Sequence, residues 1–329
     1  MKPFAPLAAL AALAALPLLG VPDYHLRLIA EVLIYGVAVM SLDLLIGFGG
    51  LVSLGHAAFF GVGAYAAALF ATHVSAEILL VVPVAVLSAM AAALVMGALV
   101  VRSANLFLLI LTLLLSQMVW EVVFRWRAVT GGADGFRGIP ELALTLPGGH
   151  LALGGPVALY ALAALLAVAA TVLARSFIEA PAGRALIGTR EQPLRMTALG
   201  YSVPRIRLTA FVVSAAIAGA AGALYPFVNQ YVGPQVAHWT TSASLFIMLV
   251  LGGVATLYGG YVGAAIYLGF QTYISSYTER WQLVIGLLFV ATVLFVPGGL
   301  GRSLKSLAAS FRPQGSGAAV AGAEKRRVP

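Results

Sequence analysis

The 329-residue sequence contains no cysteine and only three lysines, Lys2, Lys305 and Lys325, and charged residues make up 9% of it. Without cysteine there is no disulfide scaffold and no thiolate metal site. The phosphate-binding pattern G-x-x-x-x-G-K-[ST] is missing, and so are H-E-x-x-H and G-x-S-x-G. A P-loop nucleotide site, a zincin centre and a serine-hydrolase elbow are thereby excluded. The five histidines, His25, His56, His73, His150 and His238, show no metal-ligand spacing. No catalytic residue, metal or cofactor is expected.

What is present is apolar. Hydrophobic residues supply 61% of the chain and mean hydropathy is +1.01. Soluble domains carry about 25% charged residues and cannot hide this much apolar surface. The expected fold is all-α: a polytopic integral membrane bundle embedded in a lipid bilayer. A helix crossing about 30 Å of hydrocarbon needs about 20 mostly apolar residues. About ten candidate spans follow, at 4–21, 27–47, 51–72, 78–101, 104–124, 151–174, 207–227, 240–257, 260–277 and 281–298. The 51–72 segment is glycine-rich, as a broken helix would be. The first span also has the features of a signal peptide, but no polar stretch follows a cleavage site, which favours a retained helix.

The net charge of +8 raises the question of nucleic acid. The basic residues lie between apolar runs and form no stripe, so no nucleic-acid partner is expected. Positive charge in membrane proteins collects instead in cytoplasmic loops. With residues 175–206 inside, ten spans put both termini in the cytoplasm and 14 basic residues inside against 5 outside. The opposite orientation inverts that ratio. The expected organisation is one membrane domain over 1–300, with an external loop at 125–150 rich in Gly and Pro and a cytoplasmic loop at 175–206. A cytoplasmic tail follows at 301–329, its end disordered.

The segment from Gly47 to Tyr65 stands out. Glycine permits unusual backbone geometry and close helix approach. Ser53 and His56 lie three residues apart within it, on one face if helical. Polar groups at membrane depth face a partner or a water-filled path, and broken helices are tolerated where they line a cavity. Tight packing and pathway lining both remain open readings. A second cluster, Gly252–Gly260, echoes Gly49–Leu54 as G-G-x-x-[ST]-L, as in a parallel repeat, although six positions are few. The candidate pathway residues are Ser53, His56, Gly50, Gly55, Asn229 and Thr256. Other polar residues within spans, such as Thr112, Ser116 and Ser242, suit helix-packing hydrogen bonds. Glu31 and Asp43 sit well within spans, twelve residues apart, and form no close pair on adjacent turns.

Residues 175–206 hold a short helical pattern. Thr189 with Gln192 makes a capping box, Pro193 suits a helix start at Gln192, and Gly200 is a natural stop. Leu194, Ala198 and Leu199 would share a face. A solvated basic loop is one reading; a docking helix for a cytoplasmic partner is the other, and a capped amphipathic helix is more structure than charge balance requires.

Together, Gly50-Leu51-Val52-Ser53-Leu54-Gly55-His56-Ala57-Ala58-Phe59-Phe60-Gly61 and Gly63-Ala64-Tyr65 resemble the signature of branched-chain amino acid ABC transporter permeases, of LivM type. Thr130-Gly131-Gly132 with Gly138-Ile139-Pro140, Gly183-Arg184-Ala185 leading to Gly200-Tyr201, and Phe295-Val296-Pro297-Gly298-Gly299-Leu300 continue the resemblance over about 30–300. It implies a bacterial inner-membrane permease subunit that is not itself an enzyme. The implied partners are a homologous second permease of LivH type, two ABC ATPase subunits that hydrolyse ATP, and a periplasmic or extracellular substrate-binding protein. The implied substrates are branched-chain amino acids, with urea or short amides as the alternative within the family and an ion-coupled secondary transporter as the alternative outside it. The implied ATPase-coupling residues are Arg184, Arg190, Glu191, Leu194, Arg195, Leu199 and Gly200. Arg195-Met196-Thr197 departs from the small and acidic residues more usual there.

Overall fold

The computed structural model describes residues 20–103, 105–146, 149–296 and 298–300. The expected span at 4–21, the termini and the tail from 301 lie outside the described residues. α1, Asp23–Asp43, starts behind Pro22 with an acidic first turn and is buried from Val37 to Asp43. Its end widens into a π turn over Leu44–Phe48, where Gly49 N donates to Leu44 O at 3.1 Å. An extended break from Gly50 to Gly55 then leads into α2, His56–His73. α3 (Ile78–Val100) and α4 (Asn105–Arg125) follow as long apolar helices, then α5, Pro156–Glu179. Two short helices, α6 (Pro181–Glu191) and α7 (Pro193–Ala198), link α5 to α8, Val203–Asn229. The last of the described helices are α9 (Trp239–Gly252), α10 (Gly259–Ile274) and α11 (Trp281–Phe295).

Five of these helices are long and apolar enough to cross a membrane: α1 with its π turn, α3, α4, α5 and α8. The protein is accordingly a polytopic helical membrane protein. Four expected spans come out shorter than drawn: α2 begins at His56 and has 18 residues where 51–72 was expected. α9, α10 and α11 have 14, 16 and 15 residues, hence about 21–24 Å at 1.5 Å per residue, less than the hydrocarbon thickness. α9 stops early because Gly253, at φ +107°, turns the chain into a tight loop over residues 253–258.

The core forms where α1 packs on α5, α8 and α10, and where α8 packs on α2 and α3. Small residues set these distances. A Cβ on Gly222 would collide with the carbonyl oxygen of Phe60, and one on Gly63 would lie 2.7 Å from Gly219 Cα. Lipid tails are as apolar as leucine, so close van der Waals packing, not water exclusion, holds such helices together. The outward faces of α3, α4 and α11 stay apolar, with Leu87, Leu99, Phe107, Met118 and Leu287 more than half exposed.

One end of the bundle carries α6 and α7. The other carries residues 126–146, 149–155 and 230–238. There the segment read as a Gly- and Pro-rich external loop contributes strands to two small antiparallel sheets. β2 (Ala143–Leu146) pairs with β3 (Gly149–Ala152), Leu144 opposite Leu151. β1 (Phe136–Arg137) pairs with β4 (Tyr231–Val232), Phe136 opposite Val232, so the loop is pinned to the end of α8.

Candidate functional site

Breaking a helix leaves amide donors without intrahelical partners, and inside a membrane each must find one. At the Gly50–Gly55 break three hydroxyls serve. Ser53 Oγ accepts from Gly55 N at 3.2 Å. Thr112 Oγ1, from α4, accepts from Leu54 N at 3.2 Å, and Ser242 Oγ, from α9, accepts from Ala57 N at 2.9 Å. His56 opens α2 with its Nε2 2.6 Å from Ser41 Oγ on α1. Its other ring nitrogen, Nδ1, is buried and has no hydrogen-bond partner among the described residues. Ser53 and His56 are both fully buried within this chain. The break is thus held by α1, α4 and α9 together.

The second glycine cluster folds around Asp43. Its Oδ1 accepts from Ala255 N at 2.7 Å, and its Oδ2 accepts from Thr256 N and Leu257 N, both at 3.1 Å. Ala255 and Leu257 take φ of +59° and +56° to aim those amides inward, a conformation that costs a non-glycine residue about 1–3 kcal/mol and persists only where its surroundings over-determine it. Thr256 Oγ1 closes the loop by donating to Gly253 O at 2.7 Å and accepting from Gly259 N at 3.0 Å. Gly47 lacks a Cβ because Asp43 Oδ1 and Ala255 N occupy that space. The two glycine segments therefore meet at one carboxylate.

Arg190 joins this cluster from outside. Its Nη1 donates to Gly47 O, and its aliphatic stem lies over Gly50, where a Cβ would come within 2.7 Å of Arg190 Cγ. Gly50 needs its φ of +65° as well as that clearance. Arg184 donates to Glu179 O from Nε at 3.1 Å and from its terminal nitrogen at 3.0 Å, satisfying a carbonyl at the end of α5. A cleft of about 300 Å³ opens beside the break, lined by Gly50, Leu51, Val52, Leu106 and Arg207 among others.

α7 stands off the bundle with none of its residues buried. Leu194 is 86% exposed and Leu199 65% exposed; Glu191 and Arg195 are exposed beside them. The helix starts at Pro193, one residue after the expected start at Gln192, and the capping box does not form. Thr189 lies inside α6, where its hydroxyl donates to Leu186 O at 2.7 Å, and no side chain among the described residues caps α7. The stop is as expected: at Gly200, φ +86°, Gly200 N donates to Thr197 O and Tyr201 N to Met196 O, both at 3.0 Å. This is the Schellman closure, which requires a left-handed residue after the helix.

The candidate pathway residues do not form one cluster. Gly55, Ser53 and His56 sit together at the break; Gly50 lies under Arg190, and Thr256 on Asp43. Asn229 is at the opposite end of the bundle, exposed, donating from Nδ2 to Tyr225 O at 3.2 Å. Asp43 was not among the expected site residues. Its signal was an isolated carboxylate in an apolar span, which the chain cannot keep there without donors.

A polytopic bundle with two segments broken at depth has the build that membrane transport proteins use. Residues 24–293 match the family described as branched-chain amino acid transport system / permease component, and the chain belongs to that family. The high-affinity branched-chain amino acid transport system permease protein LivM of Salmonella typhimurium is 29% identical over 287 residues, 82% of this chain and 68% of the relative. LivM of Escherichia coli K12 gives the same figures. The permease protein LivH of Escherichia coli K12 is 32% identical over 128 residues, 36% of this chain and 40% of the relative. No solved structure matches the chain.

Proposed function

We propose that this permease component is the LivM-type half of an ATP-driven importer of branched-chain amino acids in a bacterial inner membrane. A LivH-type permease completes the pathway, two ABC ATPases dock on the α6–α7 end, and a binding protein delivers solute at the other. The observation that carries the proposal is the link from α7 inward. Leu194 and Leu199 present apolar surface to a partner, and Arg190, four residues before Leu194, grips the Gly47–Gly50 turn. Closure of the ATPases moves α6 and α7, and Arg190 passes that movement to the ends of α1 and α9.

In this reading the α6–α7 end is cytoplasmic. Arg102, Arg175, Arg184, Arg190, Arg195, Arg205 and Arg207 collect there, in keeping with the positive-inside rule. Ten spans with both termini inside complete the topology, with 1–300 as the permease domain and 301–329 as its tail. The solute route runs past the Gly50–Gly55 break. Ser53 and His56 are shut away in the resting arrangement and reach the route only when α1, α2 and α9 part. Gly50, Thr256 and Asn229 mark its two ends. The amide and hydroxyl groups at the break suit a zwitterion's carboxylate, and the apolar helix walls suit its side chain.

The test is co-purification of the chain from its native host, followed by uptake of radiolabelled leucine, isoleucine and valine into vesicles holding the recovered complex. Recovery of two ATPases and a second permease, with ATP-dependent uptake, is the expected result. Uptake of urea or short amides instead would reassign the substrate. Uphill transport by the chain alone on an ion gradient would overturn the ATP-driven mechanism.

A further inference from the structure

The cleft beside the Gly50–Gly55 break joins one cation to an apolar wall. Gly50, Leu51 and Val52 reach it from the break, Leu106 and Leu109 from α4, and Arg207 from α8. Arg207 is half-buried, and its guanidinium makes one hydrogen bond among the described residues, from Nη1 to Ser103 O at 3.2 Å in the turn between α3 and α4. A guanidinium has five N–H donors in a fork that fits two oxygens of one phosphate, so most of them are left for a ligand. Arg102, the residue before Ser103, is exposed and adds a second positive charge to the same turn. No carboxylate neutralises Arg207. Glu121, the one acid on α4, lies 15 residues beyond Leu106, about 22 Å along the helix. Asp43 is taken up by the amides of residues 255–257. The ion pairs among the described residues are Arg125–Glu121 and Arg175–Glu179, so exposed Glu191 does not pair with Arg207 either.

The cleft sits where the membrane helices end. Leu106 is in the first turn of α4, Arg102 lies just past the end of α3, and Arg207 is four residues into α8, about 6 Å from its start. From the cleft an aliphatic strip runs along α4. Leu106, Leu109, Ile110, Leu113 and Leu114, at i, i+3, i+4, i+7 and i+8, share one face, and none of them is buried. Leu106 is 72% exposed. The strip continues for about 12 Å toward the middle of the bilayer. Basic pockets at helix ends attract acidic headgroups, and a guanidinium at the head of an open leucine strip matches an anion that carries long apolar chains. A small amphipathic solute would need the charge but not the strip.

We infer that this cleft binds an acidic phospholipid, its phosphate on Arg207 and one acyl chain along the strip from Leu106 to Leu114. The site depends on the chain spanning a bilayer and not on which solute crosses it. The purified permease complex is melted in detergent with added phosphatidylglycerol, phosphatidylcholine or glycerol 3-phosphate, and binding is read as a rise in midpoint. Phosphatidylglycerol raises the midpoint several degrees above that in phosphatidylcholine, and glycerol 3-phosphate has no effect. Arg207→Gln abolishes the preference and Arg207→Lys keeps part of it. Arg205→Gln, which removes the same charge from an exposed position outside the cleft lining, leaves it intact. A second measurement leaves Arg207 in place. Val52→Cys puts the only thiol of this chain in the cleft wall. A maleimide, followed by the mass of this chain, modifies it at least fivefold more slowly in phosphatidylglycerol than in phosphatidylcholine. Equal midpoints and equal labelling in the two lipids would overturn the site. So would a preference undiminished in Arg207→Gln, or glycerol 3-phosphate acting as strongly as the lipid. Labelling of Val52→Cys slowed by leucine and not by phosphatidylglycerol would overturn it and give the cleft to the solute. A wild type without lipid preference, whose Arg207→Gln variant sheds the ATPases, would overturn it and give Arg207 to those subunits.

Discussion

Arg190, in the last turn of α6, donates a hydrogen bond to the backbone carbonyl of Gly47 inside the widened end of α1. One side chain therefore joins the exposed short helices to the point where a long membrane helix loses its regular hydrogen bonding. Leu44 and Leu45, in the same turn, are fully buried, so the turn moves with the core and not apart from it.

Replacing Arg190, Arg195 and Leu199 together by alanine removes the grip on Gly47 and much of the outward surface of α7. The expected outcome is a complex that still assembles and hydrolyses ATP but imports at least tenfold less solute per ATP. ATPase and uptake rates measured on the same vesicles check this. Unchanged coupling in the triple variant would take these residues out of the drive train.

Asp43→Ala strips three backbone amides of their acceptor at once. A buried donor left unsatisfied costs about 1–3 kcal/mol, and Ala255 and Leu257 lose the contact that holds them at positive φ. The variant should unfold several degrees below wild type in a detergent melt. Asp43→Asn, which keeps one acceptor oxygen, should fall between the two. A wild-type melting midpoint for Asp43→Ala would mean that the 253–258 loop holds its shape without the carboxylate.

How much of this was legible in the sequence differs by element. The helical membrane character followed from length and hydropathy, and Pro193 and Gly200 bracketed α7 because both act locally on the backbone. The length of α9 was half legible: the Gly252–Gly260 cluster stood out as composition, but that the chain turns at Gly253 depends on Asp43, more than two hundred residues earlier. The capping box at Thr189 failed for a similar reason. Residues up to Glu191 continue α6, and Thr189 is buried there. Of the candidate site, the break at Gly50–Gly55 was visible as composition. Thr112 and Ser242 were legible as hydrogen-bonding residues between helices, but that they and Ser41 converge on this break was not, because isolated hydroxyls in apolar spans look alike until the helices are packed.

Gly222 should tolerate no side chain. A Cβ there would collide with Phe60 O and sit 3.0 Å from Ala64 N, both backbone atoms that cannot rotate away. Gly222→Ala forces α2 and α8 apart, at a cost of about 1–3 kcal/mol. Gly269→Ala is the control: nothing among the described residues lies within 4 Å of a Cβ at that position in α10, and alanine is the better helix former by about 1 kcal/mol. Thermal melts of the purified chain should show a lower midpoint for the first and an unchanged or higher one for the second. Equal midpoints would mean that α2 and α8 can separate freely.

Because the chain has no cysteine, any single cysteine introduced is its only thiol. Leu194→Cys and Asn229→Cys place one at each end of the bundle, both at exposed positions. In spheroplasts treated with a membrane-impermeant maleimide, Asn229→Cys should be labelled at once and Leu194→Cys only after permeabilisation; the reverse pattern would invert the proposed orientation. Ser53→Cys then reports on the route. Ser53 is fully buried, so its thiol should be inert while the complex rests and should react during turnover with ATP and amino acid. A thiol that stays inert through sustained uptake would place the route elsewhere and leave Ser53 as a cap for Gly55 N alone.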